Sequence, residues 1–389
     1  MKAGIASLVA AYVLSQFYRA FLAVMTPVLA DDIGTTAEDL ASASGLWFLA
    51  FALMQLPVGS ALDRVGPCLT TAGLLAVGAV GAGVFAMAQG PGAINLAMVL
   101  IGIGCSPVLM ASYYIFARTF SPAVFGTLAG AVIGVGSLGN IASSLPLSAA
   151  VQAFGWRPTV WAVGAMTLAI AALIAALVRD PARVNGGPKG SLLDLLKMPA
   201  LWPVLIMMVA CYAPAAGMRG LWVGPYYTDV FGADAGQIGT VTLIMGLAMV
   251  AGNFAYGPLD RLLKTRKWLV FGGNAMVLVC LVGLWAMPDA GGWTTALLLS
   301  GVGFFGASFP MVIAHGRAFF PNHLVGRGVT LLNLFGIGAA GIMQVITGRL
   351  HAATATPPAT APYAALFAFF AGLVLVGLII YAFSRDRTD

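Results

Sequence analysis

Carrying an arginine to the middle of a bilayer costs roughly 2.5–3.5 kcal/mol on insertion scales, so one found inside an apolar segment marks a functional site. The chain has two, Arg19 and Arg219, at corresponding depths in two halves that read alike. A guanidinium presents paired N–H donors that match the two oxygens of a carboxylate or phosphate. Two of them facing one cavity would hold a small oxyanion. Residues three, four and seven apart share a helix face, which gathers Tyr12, Ser15, Gln16 and Thr26 around Arg19. The same spacing gathers Tyr212, Trp222 and Tyr226 around Arg219. Tyr12 and Tyr212 stand equally far ahead of their arginines, so each half is expected to project a matched Tyr–Arg pair. The substrate-binding set is therefore Arg19, Arg219, Tyr12, Tyr212, Gln16, Trp222 and Tyr226. The alternative role for either arginine is bonding to backbone carbonyls or bridging helices.

Long apolar helices must position these residues. Of 389 residues, 60% are hydrophobic and 8% are charged, against about 25% charged in soluble domains. Stretches long enough to cross a bilayer, about 20 residues each, recur along the whole chain. They predict twelve spans near 5–30, 40–62, 68–88, 93–117, 122–150, 158–178, 201–228, 236–259, 267–287, 293–316, 326–350 and 361–384. The first carries Arg19 centrally and lacks a small-residue cleavage site, so it is expected to remain as a span rather than serve as a signal peptide. With both termini cytoplasmic, every Lys and Arg falls inside save Arg157, Arg349 and the two intramembrane arginines. That bias follows the positive-inside rule and predicts a bacterial-type inner-membrane protein with this orientation. The net charge of +6 reflects topology and does not call for a nucleic-acid partner.

The two halves repeat each other at a spacing of about 200 residues. Arg19, Pro27 and Asp31 correspond to Arg219, Pro225 and Asp229, and Asp63-Arg64 to Asp260-Arg261. Gly102-x-Gly104 followed by Arg118-x-Phe120-x-Pro122 corresponds to Gly301-x-Gly303 followed by Arg317-x-Phe319-x-Pro321. Gly134-x-Gly136-x-x-Gly139 corresponds to Gly336-x-Gly338-x-x-Gly341. Six spans per copy make the copies parallel in the membrane. The predicted organisation is an N-terminal six-helix bundle over 1–178, a cytoplasmic linker over 179–200 and a C-terminal six-helix bundle over 201–389. Within the linker, Asn185-Gly-Gly-Pro reads as a turn and Leu192 to Met198 as a short amphipathic piece. The glycine rows lack the preceding strand of a dinucleotide site and read as close helix contacts.

Gly59-Ser-Ala-Leu-Asp63-Arg64-Val-Gly66 resembles the Gly-x-x-x-Asp-Arg-x-Gly loop of the major facilitator superfamily, and Gly257-Pro-Leu-Asp260-Arg261 resembles its degraded second copy. The glycine row ending at Pro146 and Gly155-Trp156-Arg157 are further family features. The resemblance spans the chain and implies an all-α membrane fold of twelve transmembrane helices, rocking as two bundles about a central cavity. It also implies a gate in which Asp63, Arg64, Asp260 and Arg261 lock the cytoplasmic side, with Arg118 and Arg317 as partners of the two aspartates. Arginines on spans 1 and 7 are similar to those of organic-anion members. Gly134 is followed by Val135, a departure from the Gly-Pro form of drug and proton antiporters.

The function these features point to is secondary active or facilitative transport of a small organic anion by alternating access, in exchange for a counter-substrate or together with a co-transported ion. Lipid is the surrounding partner and a monomer is expected. No span centre carries Asp or Glu, which favours exchange or facilitated movement, with His315 the residue open to proton binding. One alternative is a soft-metal importer using Met245 and Met249, since thioethers suit Cu(I); the other is a non-transporting receptor. Neither a Walker loop nor a His-Glu-x-x-His is present, so no enzymatic role, cofactor or resident metal is expected. Cys68, Cys105, Cys211 and Cys280 have no Cys-x-x-Cys spacing and read as helix-packing residues.

Overall fold

The computed structural model describes residues 2–120, 122–181, 192–321 and 324–387. Arg183, Lys189 and the Asn185-Gly-Gly-Pro turn lie outside them. Two compact units divide the chain, Met1–Asn185 with Ala235–Thr240, and Gly186–Asp234 with Val241–Asp389. Among the described residues both are built of helices, with no strand.

In the first unit, span 1 is α1 (Lys2–Tyr18) and α2 (Leu22–Ile33), span 2 is α3 (Ala37–Arg64) and span 3 is α4 (Pro67–Ala86). Span 4 is α5 (Pro91–Cys105) with α6 (Val108–Thr119), span 5 is α7 (Pro122–Ala142) with α8 (Leu145–Phe154), and span 6 is α9 (Trp156–Leu177). A short α10 (Leu192–Leu196) precedes the second unit's spans. Span 7 comprises α11 (Trp202–Gly217), a π-helical turn (Met218–Trp222) and α12 (Val223–Phe231); span 8 is α13 (Ala235–Leu263) and span 9 is α14 (Arg266–Ala286). Span 10 is α15 (Gly292–Gly306) with α16 (Phe309–Arg317), span 11 is α17 (Val325–Ala353) and span 12 is α18 (Ala361–Tyr381). Among the described residues ten helices are long and apolar enough to cross a membrane, and up to twelve if each of two bent pairs is one span. The predicted continuous segments 5–30 and 122–150 are those bent pairs, broken by 53° and 41°.

Backbone chemistry sets the boundaries. Thr36 starts α3 with a reciprocal capping box, its hydroxyl accepting from the Asp39 N–H and the Asp39 carboxylate accepting from the Thr36 N–H. Spans 1 and 7 both end on a left-handed glycine, Gly34 (φ 66°) and Gly232 (φ 61°), the conformation that closes a helix C-terminus at least cost. The glycine row of span 5 is a contact surface. A Cβ at Gly136 would overlap the Tyr12 ring, and one at Gly139 the Val13 carbonyl. The absent side chains let α7 lie directly on α1. All four cysteines are free and buried.

Each unit is clasped at its ends by charge-assisted hydrogen bonds. At the end opposite the Asp63 loop, Arg157 pairs with Asp32 at 2.9 Å and donates to the carbonyls of Ala86 (3.1 Å) and Ala88 (2.8 Å). Those bonds join the ends of spans 1, 3 and 6. At the basic end, Asp180 after span 6 accepts from the Cys68 N–H at the start of α4, at 2.7 Å. Gly66 has φ 109°, and a Cβ there would overlap the Asp180 carboxylate, so the last glycine of the loop motif is needed twice over. In the second unit Asp386 after span 12 accepts from the Thr265 hydroxyl and, at 3.0 Å, from the Lys267 N–H at the start of α14. Arg179-Asp180 and Arg385-Asp386 are thus a second repeat-related pair.

His315 belongs to this second clasp. It is fully buried, with Nε2 2.9 Å from the Arg385 carbonyl and Nδ1 2.6 Å from the Tyr381 hydroxyl. A carbonyl only accepts, so Nε2 donates and Nδ1 receives the Tyr381 O–H, satisfying a neutral ring completely. Partial burial pushes the Asp386 carboxyl up, but the Thr265 hydroxyl and the Lys267 and Arg266 N–H groups outweigh it and hold the group below the usual carboxylate range.

A group depressed in this way stabilises the fold above its unfolded pKa, and that contribution is lost as pH falls through the lower folded value. Asp386→Asn is therefore expected to cost about 0.5–1 kcal/mol at neutral pH, the low end for an exposed cap. Thermal melts of both proteins should converge below the ordinary carboxylate pKa; equal Tm at pH 7 would contradict the clasp.

Candidate functional site

Both intramembrane arginines sit where the helix is irregular. Around Arg19 the α-helical ladder stops at Tyr18 and resumes at Leu22, and the Ala20 N–H reaches back only to the Phe17 carbonyl, at 3.1 Å. Around Arg219 the chain widens into the π turn, where the Val223 N–H reaches the Met218 carbonyl five residues back. Pro225 contributes to that widening, because it has no N–H for the Leu221 carbonyl. Single π turns inside α-helices concentrate at functional sites, and broken spans near mid-membrane are how transporter folds expose backbone to a bound ion. Arg19 and Arg219 are repeat-equivalent, and so are the two interruptions.

Different surfaces hold the two side chains. The Arg19 guanidinium lies 5.4 Å from the Trp47 ring centroid and 5.2 Å from that of Phe51, one turn apart on α3. Two aromatic faces stabilise a desolvated cation by about 1–2 kcal/mol in total. Arg219 is 5% exposed and lies along Gly246 of α13, where an added Cβ would stand 3.4 Å from its Nε. Hydrogen there, instead of a side chain, leaves the guanidinium its space.

Tyr12 is buried and its hydroxyl accepts from Gln16 Nε2 at 2.6 Å, so two residues of the predicted stripe bond each other on α1. Tyr212 packs on Phe309, centroids 4.6 Å apart. Trp222 and Tyr226 make their contacts with span 11, span 12 and the end of span 9. The Trp222 indole donates to the Thr347 hydroxyl at 3.1 Å, and the Tyr226 hydroxyl donates to the Pro288 carbonyl. Tyr226 also packs among Tyr227, Phe231, Tyr363 and Phe367. The extra residue of the π turn rotates the helix face that follows it, Tyr226 included, by about 100°.

At the basic end Asp63 meets Arg118 at 3.7 Å, and the same guanidinium lies 4.1 Å from the Tyr114 ring centroid. Asp260 meets Arg266, at 3.5 Å, where the sequence repeat had pointed to Arg317. Arg317 is exposed, and the turn before α14 explains the exchange: Lys264 takes φ 51° and Thr265 caps the helix, carrying Arg266 to Asp260. Arg64 and Arg261 are exposed.

Of the lesser polar residues, Gln55 donates across helices to the Ser106 carbonyl at 3.3 Å, and Asn253 donates within its own helix to Met249. Met245 and Met249 press on Gly303 of α15, a packing role. Among the described residues no three His, Cys, Asp or Glu side chains come together as a metal site would require.

Trp47, Phe51, Gly246, Asp180 and Asp386 were not singled out by sequence reasoning. An aromatic pair one turn apart on an apolar helix reads as packing, and a lone glycine carries no address. The Arg-Asp repeat after spans 6 and 12 was the available signal for the two aspartates.

Comparison with known proteins agrees with this architecture. An uncharacterized transporter of Bacillus subtilis (strain 168), YybO, is 21% identical over 63% of this chain, which spans 61% of that relative's length. A probable L-galactonate transporter of Escherichia coli (strain K12) is 24% identical over 76% of this chain and 70% of its own. A bacterial homolog of the human lysosomal transporter Spinster, solved inward-facing, superposes with a TM-score of 0.75 at 15% identity, covering 98% of this chain and 95% of that one. A mutant of the nucleoside transporter NupG gives 0.76 at 12% identity, covering 98% and 99%. These likenesses establish the shared fold. The profile of the Major Facilitator Superfamily matches residues 8–343, and the chain belongs to that superfamily.

Proposed function

We propose that the protein is a secondary transporter of a small organic anion, with Arg19 and Arg219 binding the anionic group. The observation carrying this reading is that both repeat-related arginines stand at breaks in their spans, the one place in a bilayer where charge and freed backbone polar groups can serve a ligand. Tyr12, Gln16 and Tyr212 flank the arginines, while Trp222 and Tyr226 build the wall beside them. A relative named for L-galactonate, a hydroxylated carboxylate, supports the sign of the cargo. The basic ends of the spans face the cytoplasm of a bacterial cell, in accord with the positive-inside rule. Asp63 with Arg118 in the first unit, and Asp260 with Arg266 in the second, are the gating pairs on that side. Partly exposed pairs of this kind contribute about 0–1 kcal/mol, which suits contacts that must break in every cycle.

Arg19→Gln and Arg219→Gln should each weaken binding of small carboxylates, L-galactonate first among those tried, by at least about tenfold, the scale of one lost charge-assisted hydrogen bond. Thermal melts check that the variants fold. Unchanged affinity in both variants would remove the assignment.

Steric disturbance gives an independent check. Gly246→Leu has to share space with Arg219 and should reproduce the binding loss, while costing about 1–3 kcal/mol in overpacking. Gly257→Leu lies on the same helix with nothing within 4 Å of its added Cβ, and should leave both properties near wild type. Equal behaviour of the two leucine variants would count against the placement of Arg219.

A further inference from the structure

Span 11 carries a buried polar stripe that neither the anion site nor the gate uses. Gln344, Thr347 and His351 lie three and four residues apart on one face of α17. The Gln344 side chain is buried, and among the described residues neither its oxygen nor its nitrogen has a hydrogen-bond partner. His351 Nε2 is likewise buried and unpartnered. Thr347 is engaged, accepting from Trp222 and donating to the Gln344 carbonyl at 3.0 Å. Native folds rarely leave such groups unpaired without a functional reason.

The register of this stripe against span 7 follows from two contacts. Met208 packs on Gly336 and Trp222 bonds Thr347, so the two helices run in the same direction. Arg219 lies three residues before Trp222, and Gln344 three residues before Thr347. Gln344 therefore stands at the level of Arg219. Beyond Thr347, the His351 ring lies 5.2 Å from the Trp222 centroid and 4.9 Å from that of Tyr363. The Tyr363 hydroxyl donates to the carboxylate of Asp229, an exposed residue near the end of α12.

We propose that His351 is the binding site of a co-transported proton, set between the Asp229–Tyr363 pair at the surface and the Thr347–Gln344 stripe that leads to the level of Arg219. The charged and titratable groups around it define its behaviour. α12 supplies Asp229 and Tyr226, α18 supplies Tyr363, the segment after α14 places Asp289 near Tyr226, and Arg349 on α17 itself is exposed. A positive Arg219 opposes a second positive charge on His351, and an anion at Arg219 removes that opposition. By linkage, the proton then tightens anion binding by the same factor. This coupling rests on the anion reading of Arg219, whereas the proton site itself does not.

Trp222 reports the site directly, because a protonated imidazole beside an indole quenches its fluorescence. Purified wild-type protein should show a fluorescence titration between about pH 5 and 8 that is missing from His351→Gln and from Trp222→Phe. Asp229→Asn should move the midpoint down and Arg219→Gln should move it up by about one pH unit, the scale of a unit charge about two helical turns away in a partly polar interior. In proteoliposomes with L-galactonate, His351→Gln should keep exchange within about twofold of wild type and lose pH-gradient-driven accumulation about tenfold. Superimposable titrations of wild type and His351→Gln would overturn the proton site. An unmoved midpoint in Arg219→Gln would overturn the coupling. A titration that behaves as expected while wild-type protein binds no carboxylate or phosphate would leave the proton site standing and remove the anion reading.

Discussion

Hydrocarbon gives a polar group no partner, and every part of this molecule that departs from a plain apolar helix answers that constraint. Along most spans the backbone bonds to itself and the side chains are apolar. Charge is then concentrated at two places. At helix ends it closes the open backbone groups, as Asp180, Asp386 and Arg157 do. Within the membrane it collects at Arg19 and Arg219, where the helical ladder is interrupted and the guanidinium is met by Trp47 and Phe51 on one side of the repeat and given room by Gly246 on the other.

The duplication is preserved in backbone geometry more faithfully than in side-chain contacts. Gly34 and Gly232 close spans 1 and 7 in the same left-handed conformation, and Asp180 and Asp386 cap the starts of spans 3 and 9. Yet Arg19 lies on an aromatic platform and Arg219 lies along a glycine. The buried Gln344–Thr347–His351 stripe likewise belongs to the second unit's chemistry.

Much of this was legible in the sequence because membrane folds are written in coarse signals. A charge in an apolar run is conspicuous, so Arg19 and Arg219 stood out at once, and the glycine rows announced contacts such as Gly139 on Val13. In the sequence only Pro225, which lacks an N–H for the helical ladder, marks a break near Arg219. That the interruption takes π form, and so rotates the helix face after it, Tyr226 included, depends on a single extra residue per turn that no spacing rule reveals. Asp260 found Arg266 in place of Arg317 for a related reason: the loop conformation at Lys264 decided the pair, and loop conformation is weakly encoded. Trp47 and Phe51 were hidden because a cation–π platform and ordinary packing use the same residue types.

The central claim is that an arginine at a broken span selects cargo by negative charge. The most direct measurement is a thermal-shift comparison on purified wild-type protein of small carboxylates and phosphates against their uncharged counterparts, L-galactonate against L-galactose among them. Stabilisation by at least one anion, growing with its concentration and missing for the matching neutral compound, is the predicted result. Stabilisation by neutral compounds alone would contradict it.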